Sequence, residues 1–394
     1  MINTLKIIRI LFIVPLILCC CASENAEKNI DIDIDPNLLH KNLNLSEVFE
    51  SIEFLQLETN KNCLLGLVQK VKVSNSRYYF LTGFTSERII IFGKDRGNHL
   101  LTIDKNGRGP GEYIRAIDLY ADPDDQFFEI YSRGLKKIIR YNNEGMYLSE
   151  ENIERYISSF SRLNQSLVLY ADEGSNNQLI IKRESKVVDL IELNNYSIGD
   201  KNNFCCNNGS LSFGRSIDNK IYKITSNGIQ IKYNINFGDL QIPSEFFQRN
   251  YNQSFGFSLQ NLVRENYAFN IFSFYESSNF VVLTIVHNKS LHLAVYSKET
   301  GQIKIADDFI DDLQNLKSVF KINREMIPIG FDGNELLFIV EPIKITECLD
   351  QTIQSCSNQE WEIFKRKNES LIELYDRIEE NDNPVIAKCK LKQF

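Results

Sequence analysis

Short apolar runs alternate with polar turn clusters along most of this chain, and their length and spacing predict strands rather than helices. The clearest stretch runs from Tyr113 to Leu148. Ile114, Ala116 and Ile117 open a strand that reaches Ala121. Asp122-Pro123-Asp124-Asp125 then reads as a turn, because Asp side chains bond nearby backbone N–H groups and Pro fixes φ. Phe127 to Tyr131 is a second strand, and Ser132-Arg133-Gly134 turns the chain. Lys137 to Tyr141 is a third, Asn142-Asn143-Glu144-Gly145 turns again, and Met146, Tyr147 and Leu148 begin a fourth.

The preceding stretch has the same rhythm. Strands are predicted at Val68 to Val73, Arg77 to Leu81, Arg88 to Phe92 and Leu100 to Ile103, with Asp95-Arg96-Gly97 as a turn. Self-similarity of this kind marks a repeat architecture. Four short antiparallel strands per unit make one propeller blade. Later units are more degenerate. Strands are predicted at Leu167 to Tyr170, Gln178 to Lys182, Lys186 to Leu193, Lys220 to Thr225 and Ile229 to Ile235. Others follow at Ile271 to Tyr275, Phe280 to Val286, Leu291 to Tyr296, Ile303 to Ile305, Ile329 to Phe331, Glu335 to Val340 and Val385 to Leu391. The expected fold is all-β: a six-bladed β-propeller of four-stranded antiparallel blades. Two helical inserts interrupt it. Phe246, Phe247 and Tyr251 share helical spacing near 243–261. Trp361, Phe364, Leu371, Leu374, Tyr375 and Ile378 do so near 359–380. Both read as packing decorations.

The N-terminus follows a different pattern. Lys6 and Arg9 precede an apolar stretch from Ile10 to Leu18 that is too short to span a bilayer, and Cys19, Cys20 and Cys21 follow at once. This is the anatomy of an export signal, and it resembles a bacterial lipoprotein signal with Cys21 as the lipid-attachment residue and Cys20 as the alternative. The expected organisation is a signal over 1–21, a polar tether over 22–42 able to supply a first strand, and the propeller over 43–394. Lipid on the cysteine would hold the protein at a membrane surface, and no later segment reads as membrane-spanning.

Composition agrees with strands. Phe (26) and Tyr (17) are abundant while Trp is single, and apolar residues make up 43% of the chain. A net charge of −8 argues against a nucleic-acid surface. Six cysteines lie beyond the signal: Cys63, Cys205, Cys206, Cys348, Cys356 and Cys389. An envelope location permits disulfides, and Cys348 with Cys356 is the best local pair. With no C-x-x-C after the signal and scattered histidines, zinc is not expected.

Gly107-Arg108-Gly109-Pro110-Gly111-Glu112-Tyr113 invites a phosphate-loop reading. The spacing, the following strand and the N–H missing at Pro110 exclude it. Pro110-Gly111 instead suits the centre of a type II turn. Because this run joins an outer strand to the next inner strand, Arg108, Glu112 and Tyr113 are candidates for a ligand face. Asp122, Asp124 and Asp125 lack the glycine and distal Glu of a calcium loop, so a solvated turn is expected. The pairs Asp307-Asp308 and Asp311-Asp312 read as an exposed loop. His287 and His292, five apart, would fall on opposite faces of a continuous strand. No G-x-S-x-G occurs, and one Trp is too few for repeated Asp boxes.

With these residues in view, the chain resembles the six-bladed β-propeller lipoproteins of Bacteroides and related bacteria. The likeness rests on Leu45 to Val71 with its Leu57-Glu58-Thr59 core, on the glycine run, on Asp218 to Ile224 and on Asn383 to Lys392. The glycine run is also similar to the junctions of NHL-type propeller repeats. The resemblance implies a fold and a lipid-anchored place in the envelope, on the outer membrane. It implies no particular activity, and Cys63 and the Cys348–Cys356 loop depart from it. The expected role is a non-catalytic ligand-binding or protein-interaction module. Its partner would be a glycan, a peptide or an outer-membrane protein, with no cofactor. The alternative is a lyase or lactonase-like hydrolase holding a channel metal, for which calcium would serve. Replacing Cys21 by Ala is expected to leave the protein soluble in the envelope fraction without an acyl mass shift; a shift that persists moves the attachment to Cys20.

Overall fold

In a computed structural model, residues 29–394 are described except 41, 84–86, 174–175, 194–199, 208, 251–254, 317–321 and 323–326. The lipid-attachment candidates Cys20 and Cys21 lie outside the described residues. The chain forms a six-bladed propeller. Blade 1 is Val68–Val73, Arg77–Thr82, Arg88–Gly93 and His99–Ile103. Blade 2 is Ala116–Ala121, Phe127–Ser132, Lys137–Asn142 and Tyr147–Asn152. Blade 3 is Ile157–Leu163, Ser166–Glu173, Asn176–Arg183 and Lys186–Glu192. Blade 4 is Phe204–Asn207, Ser210–Phe213, Lys220–Thr225 and Gly228–Asn236. Blade 5 is Phe269–Glu276, Phe280–His287, Ser290–Ser297 and Ile303–Ala306. Each runs antiparallel from an inner to an outer strand.

Blade 6 closes the ring with both ends of the domain. Its first three strands are Gly330–Asp332, Glu335–Val340 and Val385–Leu391, and its outer strand is Phe49–Gln56. Val385 lies opposite Gln56 and Lys390 opposite Ser51. The Asn383 side chain, 1% exposed, fastens the join. Its carbonyl accepts from Leu65 N–H at 2.8 Å, and its amide donates to the carbonyls of Glu58 (2.7 Å) and Cys63 (2.9 Å).

Packing explains why the middle strands read as unbroken apolar runs. Each blade is covered on both faces by its neighbours, so alternation is lost. Tyr78 and Phe80 pack toward blade 6 with Ile329, Leu337 and Ile386. Tyr79 and Leu81 of the same strand pack toward blade 2 with Phe128, Ile130 and Tyr141. Comparable clusters fill the remaining four blade interfaces.

The segment expected to be a tether able to supply a first strand does supply one, Ile30–Asp33, which adds in parallel to the outer strand of blade 4, pairing Ile30 with Tyr233 and Asp33 with Asn236. Ile32 is buried there, since the edge of blade 4 offers free backbone partners and an apolar surface. A 3₁₀ turn, Pro36–His40, follows. The second helical insert starts earlier than expected: Pro342–Ser355 precedes Asn358–Lys367 and Glu369–Tyr375. That first helix overturns the Cys348–Cys356 disulfide. Cys348 is buried inside it, Cys356 caps its end, and both are free thiols. Eight helical residues span about 12 Å, beyond the roughly 7 Å that a disulfide bridges. The first insert falls near its expected place, as Ser244–Asn250 and Phe255–Arg264.

Asn383→Ala strips three hydrogen bonds from a buried junction and leaves buried backbone groups unpaired. It is expected to lower unfolding stability by about 2–4 kcal/mol, read from the urea midpoint at unchanged m-value.

Candidate functional site

An inner strand runs from the end where each blade-to-blade crossover arrives to the end where the first hairpin turns. The glycine run lies at the crossover end of blade 2. Both helical inserts also leave from that end, one between blades 4 and 5, the other between the second and third strands of blade 6. A cavity of about 590 Å³ opens at the other end of the channel. Five blades contribute to its wall, among them Lys72 and Ser74 of blade 1, Asn202 and Cys205 of blade 4, Glu276 of blade 5 and Asp332 of blade 6.

Polar side chains bridge the channel beneath this cavity. Lys70 pairs with Asp118 of blade 2 at 2.9 Å, both buried. The other Asp118 oxygen accepts from Phe160 N–H of blade 3 at 2.8 Å. Two residues on, Lys72 reaches across to Asn202, donating to its carbonyl oxygen at 2.7 Å. The orientation of that amide is fixed from behind. Its Nδ2 donates to Phe274 O (2.7 Å) and to Cys205 Sγ (3.4 Å), which leaves Oδ1 facing Lys72. The backbone that delivers Asn202 is itself unusual. The inner strand of blade 5 bulges between Asn270 and Phe274, and Phe272 adopts φ +70°, rare for a bulky residue. Its carbonyl accepts from Lys201 N–H at 2.6 Å, and Asn202 pairs with Ser273 in an isolated bridge.

The charges around the cavity differ in how well they are matched. Glu276 accepts from Lys232 (2.7 Å), Tyr233 OH (2.9 Å) and Lys298. Burial alone would raise its carboxyl, but the two ammonium groups hold it below its ordinary range. Asp332 pairs with Lys94 at 2.6 Å. Lys72 has no carboxylate partner among the described residues, and burial pushes its pKa down. Burial also pushes the Cys205 thiol up to about 12, the reverse of what a nucleophilic cysteine needs.

The structure brings none of the sequence-derived ligand-face residues to this cavity. Arg108 is exposed at the crossover end. Glu112 folds back to accept from Gly109 N–H at 2.7 Å. Tyr113 is fully buried, with its hydroxyl against the carbonyls of Glu87 (2.8 Å) and Ile103 (3.0 Å). Gly111 has φ +70° and Glu112 N–H bonds to Gly109 O at 3.1 Å, as in the expected type II turn. Any side chain at Gly107 would collide with the Glu112 carboxylate 2.0 Å away. Asp125 does more than solvate a turn. It accepts from Ser76 N–H (3.0 Å), Ser76 Oγ (2.7 Å) and Ser74 Oγ, clamping blade 2 to the first hairpin of blade 1. Asp311, expected in an exposed loop, caps the backbone N–H groups of Leu313, Gln314 and Leu316.

The two histidines are a further correction. A hairpin separates them, His292 lies opposite Ile285 and His287 opposite Ser290. Both side chains therefore sit on one face of blade 5. Even so, the described residues contain no group of three His, Cys, Asp or Glu placed to hold a metal. Lys72, Asn202 and Cys205 escaped the sequence reading. They lie on polar or very short inner segments that match no motif, and only two lysines inside the Val68–Val73 run, Lys70 and Lys72, marked the place.

At the crossover end Asp200 is fully buried. It accepts from Asn203 Nδ2 (2.7 Å), Ser216 N–H (3.1 Å) and Ser216 Oγ.

Together these features define a six-bladed propeller whose channel is bridged by side chains at mid-depth and opens at one end into a ligand-sized polar cavity. The chain belongs to the family described as Domain of unknown function (DUF4934), whose model matches residues 29–390. Among solved structures it is similar to a presumptive exported protein of Bacteroides fragilis, at 18% identity and a TM-score of 0.72, covering 93% of this chain and 100% of that one. It is also similar to a member of the DUF4221 family from Bacteroides vulgatus, at 10% identity and a TM-score of 0.50, covering 88% and 98%. At such identities the likeness shows the fold alone. No curated protein matches the chain. No helix among the described residues is long and apolar enough to cross a membrane.

Burial lifts the Asp200 carboxyl to about 6, outweighing the hydrogen bonds that favour its charged form. A folded-state pKa above the unfolded one favours folding at low pH, and that contribution fades as pH rises from about 4 to 6. Between pH 4 and 7 the wild type is expected to lose on the order of 2 kcal/mol relative to Asp200→Asn in denaturant melts.

Proposed function

We propose that this protein is a non-catalytic ligand-binding propeller of the bacterial cell envelope, anchored by lipid on Cys21 or Cys20, that takes its ligand in the channel-end cavity. The observation that carries the reading is the cavity itself. It has the size of a small-molecule site, its wall mixes apolar and polar groups, and it is open while the channel beneath it is bridged by side chains. The chemistry at its floor favours binding over turnover. The Cys205 thiol is held protonated, and the nearby carboxylates Glu276 and Asp332 are engaged by lysines. Export to the envelope is supported by the signal-like N-terminus and by the exported relative from Bacteroides fragilis. A glycan or peptide, with both apolar faces and polar groups, fits the cavity's mixed wall and suits a protein of the cell envelope.

The test uses the folded domain and a rim variant. Asn279 is exposed at the cavity mouth, so Asn279→Trp obstructs the entrance without entering the core. Glycan and peptide arrays probed with the wild type are expected to give specific hits that Asn279→Trp loses at unchanged melting temperature. Hits that survive the variant would move the site elsewhere, and a released, chemically altered ligand would make the protein an enzyme.

A further inference from the structure

We infer that Lys72 is an anion anchor and that the ligand of the cavity carries a carboxylate. The inference rests on the cavity being the binding site and adds the chemical class of what enters it.

Charge matching comes first. Around the floor, Lys70 has Asp118, Lys94 has Asp332, and Lys232 and Lys298 share Glu276. Lys72 donates only to a neutral amide oxygen, and the carboxylate it feels at longer range, Asp118, is already paired to Lys70. An ammonium taken out of water without a counter-charge is costly, and such groups are kept where they act on something.

The geometry then says how it would act. An ammonium has three N–H donors. One is committed to Asn202 Oδ1, whose orientation Phe274 O and Cys205 Sγ lock. The other two remain for a group in the cavity that Lys72 lines. A carboxylate would accept them and supply the missing negative charge. Lys232 and Lys298 share one carboxylate, so the floor carries more cations than carboxylates, and Lys72 is the one that no carboxylate among the described residues engages directly. A phosphate dianion calls for more cationic donors, usually including Arg, and among the described residues no Arg lines this cavity. The lowered pKa of Lys72 has a consequence: an entering carboxylate raises it again, so binding takes up protons at alkaline pH.

The probes are D-galacturonate, N-acetylneuraminate and acetyl-diglycine, each against its methyl ester, with inorganic phosphate alongside. Calorimetric titration of the wild type is expected to show one or more of the acids binding at least tenfold tighter than its ester, and tighter than phosphate. Lys72→Met is expected to bring acid and ester to the same weak affinity, to melt no lower than the wild type because a half-buried charge without an ion pair is gone, and to abolish the proton uptake. Lys72→Arg is expected to keep part of the preference. The anchor is overturned if no acid binds, if phosphate binds tighter than every acid, if Lys72→Met keeps the preference, or if Lys72→Met melts well below the wild type. Acid binding lost in Asn279→Trp but unchanged in Lys72→Met would overturn the anchor and leave the cavity as the site. Binding unchanged in Asn279→Trp would overturn the cavity reading itself.

Discussion

Everything in this fold depends on the join in blade 6. A propeller is a ring of face-packed sheets, and a ring with one open interface exposes the apolar faces of two blades at once. Here the last interface forms because Phe49–Gln56 completes a sheet whose other strands come from the C-terminal end. Backbone pairing supplies the register and Asn383 supplies the lock. The same junction positions Cys63 and the Leu57 side chain in the cluster beneath blade 1. Blades 1 and 6 both line the cavity, so the shape of the binding end follows from how well the ring is closed.

The fold was legible in the sequence where burial on both faces produced dense β-forming runs. Arg88–Gly93 and Phe280–His287 are such strands. The turns between them were legible through Gly, Asp and Asn. Legibility failed at the inner strands of blades 3 and 4. Ile157–Leu163 carries Ser159, Ser161 and Arg162, and Phe204–Asn207 is only four residues long. Strands beside a polar channel do not keep an apolar signature. It failed also at Phe49–Gln56, whose partner strand is hundreds of residues away and so leaves no local trace. The helix Pro342–Ser355 was missed because its apolar positions are diluted by outward-facing Gln and charged residues and by Thr352, a polar residue on its buried face.

The candidate site was less legible still, for a related reason. Arg108, Glu112 and Tyr113 drew attention because glycine-rich runs mark exceptional backbone, and the backbone there is exceptional for structural reasons: Gly107 and Gly111 make room for Glu112 and a tight turn. Lys72 had no motif around it. Its significance comes from its lack of a direct ion pair among the described residues while its neighbours have one, and such a lack appears only when chain segments far apart in sequence are assembled. The corrections at His287 and His292 teach the same point on a smaller scale, since one hairpin turn converts opposite faces into one face.

The junction at blade 6 also sets the timetable of folding. Asn383 and Leu65 are 318 positions apart, so the decisive contact has very high contact order and must wait for the end of the chain. Earlier blades can pair internally and pack on one another as they emerge, yet blades 1 and 5 cannot finish burying their faces until blade 6 is complete. A polypeptide that passes through a membrane as an extended thread is served by this arrangement. Premature closure is impossible by connectivity, and the native ring can form only after the whole length is available.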